Sequence, residues 1–104
     1  MLAPREIDTL VGRIVARLRP VKVIVFGSYA KGTATARSDL DLFVVQASDR
    51  PMGRRADTIR SLLARTLTRV DVLVYTPEEV EAYSQDERSF VSTVLKTGWI
   101  AYES

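Results

Sequence analysis

The sequence predicts an α/β fold, in the α+β sense of a small mixed β-sheet with helices packed against it. Three observations lead there. Ile7, Leu10, Val11, Ile14, Val15 and Leu18 recur at helical spacing near the start of the chain. Three apolar runs have strand length: the β-branched "VKVIVF", then "LDLFVV" and "RVDVLVY". Helical patterns alternate with these runs, an order that stacks helices on a sheet. At 104 residues and 46% hydrophobic composition, the whole chain, 1–104, reads as one domain with room for a core and little else.

Each element has a local reason. The first helix is expected over about residues 4–19, with Pro4 in its first turn and Pro20 stopping it. Residues 21–26 are a buried strand. The small and polar segment 28–37, "SYAKGTATAR", has room for a short helix and a loop, and 40–45 is the second strand. After the turn chemistry of "QASDRPMG" comes an amphipathic helix presenting Ala56, Ile59, Leu62, Leu63 and Leu67 on one face. Residues 69–75 are the third strand. In "TPEE", Thr76 caps a helix, Pro77 takes its first position and Glu79 completes a capping box. That helix breaks near Gln85–Asp86 and resumes through Phe90, Val91, Val94 and Leu95 to a cap at Gly98. The closing "WIAYE" adds an edge strand.

Composition removes whole classes of chemistry. No cysteine means no disulfide and no thiolate metal site, and no histidine removes imidazole bases and the usual zinc ligands. Catalysis has to rest on carboxylates, hydroxyls, Lys, Arg, Tyr or backbone groups. Fifteen basic against thirteen acidic residues leave a net charge of +2. That suits a polyphosphate ligand and is too small to require a nucleic-acid surface. The start of the chain is not a signal peptide, and no stretch has the length to span a bilayer, so a cytoplasmic protein without membrane contact is expected.

The chemistry concentrates in "GSYAKGTATARSDLDL". Asp39 and Asp41 are two residues apart at the mouth of a strand, so they project to one side with Cα atoms about 6.5–7 Å apart. Carboxylates so placed suit two divalent ions, and their hard oxygens suit Mg²⁺ with water and phosphate completing its shell. Gly27 and Ser28 end the first strand, where glycine permits close approach and free N–H groups attract an anion. Lys31 and Arg37 add positive charge nearby. One end of the segment therefore suits phosphate and the other metal, and a metal-bound triphosphate would join them. Both ends meet only if strands one and two are antiparallel neighbours. Asp71 joins them if strand three lies parallel to strand two, with the intervening helix as crossover.

These residues resemble the signature G-S-x-A-(R/K)-G-x(5)-S-D-(L/I)-D-(L/I) of the polymerase-β-like nucleotidyltransferases, and in particular their minimal, MNT-type members. The matching positions are Gly27, Ser28, Ala30, Lys31, Gly32, Ser38, Asp39 and Asp41, with Asp71 standing as the third carboxylate. The resemblance implies Mg²⁺-dependent transfer of a nucleoside monophosphate from a nucleoside triphosphate, with ATP the expected substrate, to a hydroxyl acceptor. It implies Asp39, Asp41 and Asp71 as catalytic metal ligands, two Mg²⁺ ions, and Gly27 and Ser28 on the triphosphate, with Lys31 at the basic position. Minimal members are often antitoxins paired with a HEPN-domain protein, and some modify that partner with AMP. The alternative is a binding module that neutralises a HEPN-type partner by complex formation, with catalysis dispensable. The sequence leaves open the base, the acceptor, direct nucleic-acid binding and any homo-oligomer.

Two other phosphate-handling readings fail locally. A P-loop needs G-x(4)-G-K-[ST], but Lys31 precedes Gly32 here. A haloacid-dehalogenase-type phosphatase places its apolar strand before the first Asp, and here the strand follows. Tyr29 reads as packing, Arg37 as a surface charge, Gly32 as a turn residue, and Glu78, Glu79 and Glu81 as a helix start.

Overall fold

The computed structural model describes all 104 residues. Helix α1, Pro4–Leu18, opens with the Glu6 carboxylate accepting from the Ala3 N–H at 2.8 Å. It ends where Arg19 turns left-handed before Pro20. Strand β1, Lys22–Phe26, is followed by the one-turn helix α2, Ser28–Lys31, and by strand β2, Leu40–Val45. A 3₁₀ turn at Met52–Arg54 leads into helix α3, Asp57–Leu62, and strand β3, Val70–Tyr75. Helices α4, Pro77–Ser84, and α5, Phe90–Thr97, precede the final strand β4, Trp99–Glu103.

The sheet runs β3-β2-β1-β4. β1 is antiparallel to both β2 and β4, while β2 and β3 are parallel, so the sheet is mixed as expected. Alternation along the strands sorts the two faces. Val23, Val25, Leu42, Val44, Val72 and Val74 point to one face, where α1 and α3 cover them with Ile7, Ile14, Ile59 and neighbours. Ile24, Phe43 and Val45 point to the other, against Val91 and Val94 of α5. There Phe43 stacks on Tyr75 with ring centroids 4.9 Å apart, and Phe90 stands edge-on to Phe26 at 5.4 Å. Each fully buried side chain of this size contributes about 1.5–3 kcal/mol, so the two clusters hold the sheet from both sides. No helix is long and apolar enough to cross a membrane.

The capping box at α4 forms as read from the sequence. Glu79 N–H donates to Thr76 Oγ1 at 3.2 Å, and Thr76 N–H donates to Glu79 Oε1 at 2.8 Å. One expectation needs correction. Leu67 is not on the packed face of the second amphipathic helix but fully exposed. Helix α3 ends at Leu62 and the chain turns there, with Thr66 N–H bonding to Leu63 C=O at 3.0 Å, so helical periodicity no longer applies at Leu67. Gly98 does cap α5, yet its φ is −75°, not left-handed. It is glycine because a Cβ there would strike Ile24 Cγ2 and the Val94 carbonyl.

Candidate active site

The turn between β1 and β2 sets the site. Gly27 leaves β1 with φ +73° and ψ −147°, a conformation essentially reserved for glycine. Phe26 pairs with Asp41 across the antiparallel ladder, which puts Gly27 against the Asp41 side chain. A Cβ on Gly27 would collide with Asp41 Oδ2. Ser28 opens α2, and the turn closes as the Lys31 N–H donates to the Gly27 carbonyl at 3.1 Å. Lys31 itself is exposed at the other end of α2. Gly32, at φ +74°, ends that helix as a turn residue.

Ser38 shapes the approach to the carboxylates. Its Oγ accepts from the Thr35 N–H at 2.8 Å, and its own N–H donates to the Thr35 carbonyl at 3.0 Å. Arg37 adds only a backbone bond to Thr35 Oγ1 and is exposed. Tyr29 packs against the core, and its hydroxyl accepts from the Leu2 N–H at 2.9 Å, pinning the start of the chain.

The parallel pairing of β2 and β3 places Asp71 directly beside Asp41. Asp39 lies two residues before Asp41, so all three carboxylates are on one face and at one end of the sheet. It is the face covered further along by α5. The same register carries one step beyond the strand: the Leu40 N–H donates to the Arg69 carbonyl at 2.9 Å, which sets Arg69 opposite Asp39. The result is a two-by-two block, with Asp39 just before β2 and Asp41 in it, and Arg69 just before β3 and Asp71 in it. Arg69 Nε lies 3.3 Å from Asp71 Oδ1 and 3.8 Å from Asp39 Oδ2. Arg69 was absent from the residues the sequence points to. Its signal is the two-residue spacing from Asp71, which repeats the spacing of Asp39 and Asp41.

Electrostatics single out Asp41. Desolvation by its surroundings, then repulsion from Asp71 and Asp39, push its carboxyl above the ordinary value of 3.8. Such a group lacks positive charge, and a divalent cation supplies it. The donor set fits Mg²⁺: carboxylate oxygens, with no sulfur or imidazole in the chain. No three acidic side chains are grouped closely enough to hold a metal ion by themselves. Mg²⁺ rarely uses an all-protein cage, taking one or two carboxylates and completing its shell with water and substrate phosphates. A separate cavity of about 750 Å³ lies between the start of α1 and the 65–68 turn, lined by Arg5, Arg13 and Arg65 among others, and includes none of the aspartates.

Comparison with known proteins bears on the family and the fold. Residues 7–69 match the family model described as a nucleotidyltransferase domain, a span that holds β1, the Gly27 turn and both residues of the Asp39–Asp41 pair. No curated protein matches the chain. Among solved structures, one assigned as a nucleotidyltransferase from Sulfolobus solfataricus is similar at TM-score 0.66 and 16% identity, covering 96% of this chain and 79% of that one. A toxin–antitoxin with AMP-PNP is similar at TM-score 0.64 and 20% identity, covering 93% of this chain and 73% of that one. The toxin–antitoxin MntA-HpeT, in a mutant form, gives TM-score 0.60 and 19% identity over 99% of this chain and 75% of that one. At these identities the structures establish a shared fold. The family match covers more than half of the sequence, and on that ground the chain belongs to the nucleotidyltransferase domain family.

Proposed function

We propose that this chain transfers AMP from ATP to a hydroxyl on a partner protein, in a Mg²⁺-dependent reaction of the EC 2.7.7 type. The observation that carries the reading is the pairing of Asp41 with Asp71 beside the Gly27 turn, in a chain of the nucleotidyltransferase domain family. Asp39 and Asp41 would hold the metal, and Asp71 would complete the donor set toward the acceptor. Bound Mg²⁺ neutralises phosphate oxygens and lowers the pKa of the attacking hydroxyl.

The chain's own groups do the rest. Gly27, without a side chain, lets the triphosphate approach the backbone, and Ser28 offers a hydroxyl and an N–H to the β- and γ-phosphates. Asp71 accepts the proton of the acceptor hydroxyl. The acceptor oxygen forms a bond to the α-phosphorus as the bond from that phosphorus to the bridging oxygen of the β-phosphate breaks. Pyrophosphate leaves with that electron pair. Lys31, exposed one turn away, balances charge on the departing group.

Two similar solved structures are toxin–antitoxin assemblies, one of them with AMP-PNP, which supports a protein partner and an adenine nucleotide. The resemblance to MNT-type domains supports a HEPN-domain protein as that partner. The same assemblies support a second reading, in which the chain neutralises its partner by covering it. The test is intact mass of the co-purified partner after incubation with ATP and Mg²⁺. A gain of one AMP, lost with Asp39→Asn plus Asp41→Asn, supports transfer. If the double variant neutralises the partner as well as wild type, covering is the protective activity.

A further inference from the structure

Arg69 is a cation already built into the block of carboxylates. Its place is set by backbone, since its carbonyl bonds to the Leu40 N–H at 2.9 Å and fixes it opposite Asp39. Its Nε then faces two carboxylates at once, at 3.3 Å from Asp71 and 3.8 Å from Asp39. These are two of the oxygens on which the proposed metal site depends. A guanidinium and a divalent ion cannot both neutralise the same carboxylate oxygens at full strength. The Arg69 side chain is 76% exposed, so it is free to swing into solvent without disturbing the core.

We propose that Arg69 is a positioning residue: it neutralises and orients Asp39 and Asp71 in the free chain, and is displaced when the metal arrives. The inference rests on the metal-site reading above. Arg69 keeps the acidic block from flying apart by like-charge repulsion while no cation is bound. It thereby weakens metal binding to the free chain. The pair is solvent-exposed, which limits the size of the effect and makes it sensitive to salt.

The test is Mn²⁺ binding to the nucleotide-free chain, followed by electron paramagnetic resonance of the free ion. Arg69→Gln is expected to tighten Mn²⁺ binding about two- to fivefold at low ionic strength, the range of an exposed ion pair. Arg69→Lys is expected to lie between wild type and Arg69→Gln, since it keeps the charge but puts it on a flexible, strongly hydrated ammonium in place of the Nε–H that faces both carboxylates. The difference between Arg69→Gln and wild type should shrink toward nothing at about 1 M salt, where the Debye length is about 3 Å. Equal or weaker Mn²⁺ binding by a folded Arg69→Gln protein, with wild-type binding abolished by Asp39→Asn, overturns the role of Arg69 and leaves the metal site standing. No Mn²⁺ binding by wild type or variant overturns both.

Discussion

The Asp41 carboxylate stands in the space that a side chain on Gly27 would need. Phosphate turn and metal ligand are thus one packed unit. Gly27→Ala is expected to cost about 3 kcal/mol, because the backbone conformation at φ +73° resists a Cβ and Asp41 must move as well. For a chain of this size that is a fall in Tm of roughly 10 °C or more, readable by calorimetry. Ser28→Ala should leave Tm nearly unchanged and weaken ATP binding, measured by titration calorimetry. A Gly27→Ala protein as stable as wild type would show that the turn relaxes freely.

Asp41 carries a charge that the metal-free fold disfavours. Asp41→Asn removes the repulsion from Asp39 and Asp71 and lowers the desolvation cost. It is expected to raise the stability of the metal-free chain by a small margin, because Asp41 is part-exposed and solvent screens the repulsion. The same variant should abolish nucleotidyl transfer. A shift of the urea midpoint to higher concentration, with no change in slope, is the confirming result.

Away from the site, Arg55 ties three elements together. Its Nη1 and Nη2 donate to Glu79 at 2.6 and 3.2 Å, its Nε donates to the Arg50 carbonyl at 3.0 Å, and Nη1 also reaches the Val74 carbonyl at 3.4 Å. Arg55→Ala is expected to cost about 2 kcal/mol, the scale of hydrogen bonds to a charged group. The bonds from Arg55, and then the Thr76 N–H, hold the Glu79 carboxyl below its ordinary value of 4.5. A lowered carboxylate pKa means stability that is fully present above that ordinary value and lost as pH falls through the folded one. Urea unfolding from about pH 6 to pH 3 should therefore show a shallower acid loss for Glu79→Gln than for wild type.

Leu63 and Leu67 give a paired test of the segment before β3. Leu63 is 6% exposed, and Leu63→Ala should cost about 3 kcal/mol. Leu67 is wholly exposed, and Leu67→Ser should change stability by less than about 0.5 kcal/mol. A large loss at Leu67 in dilute solution would mean that another surface covers it.

Much of this was legible in the sequence because it is carried by local patterns. The strand at Leu40–Val45 follows from a short apolar run, and the start of α4 from Thr76, Pro77 and Glu79. The antiparallel β1–β2 pair follows from a chemical demand: a phosphate turn and two metal-binding carboxylates have to meet. Register was less accessible, since it is decided by pairing between segments far apart in the chain. Leu67 shows the limit from the other side, because helical periodicity predicts burial only while the helix continues.

The sequence by itself determined the mixed α/β character, the turn at Gly27 and Ser28, and the candidate carboxylates Asp39, Asp41 and Asp71. Only the tertiary structure decided that Gly27 and Asp41 share one space, and that Arg69 fills the fourth corner of the carboxylate block. The reason is physical. Alternation fixes which side a residue faces, but which residue stands opposite it is set by the ladder between strands, and that ladder exists only in the folded chain.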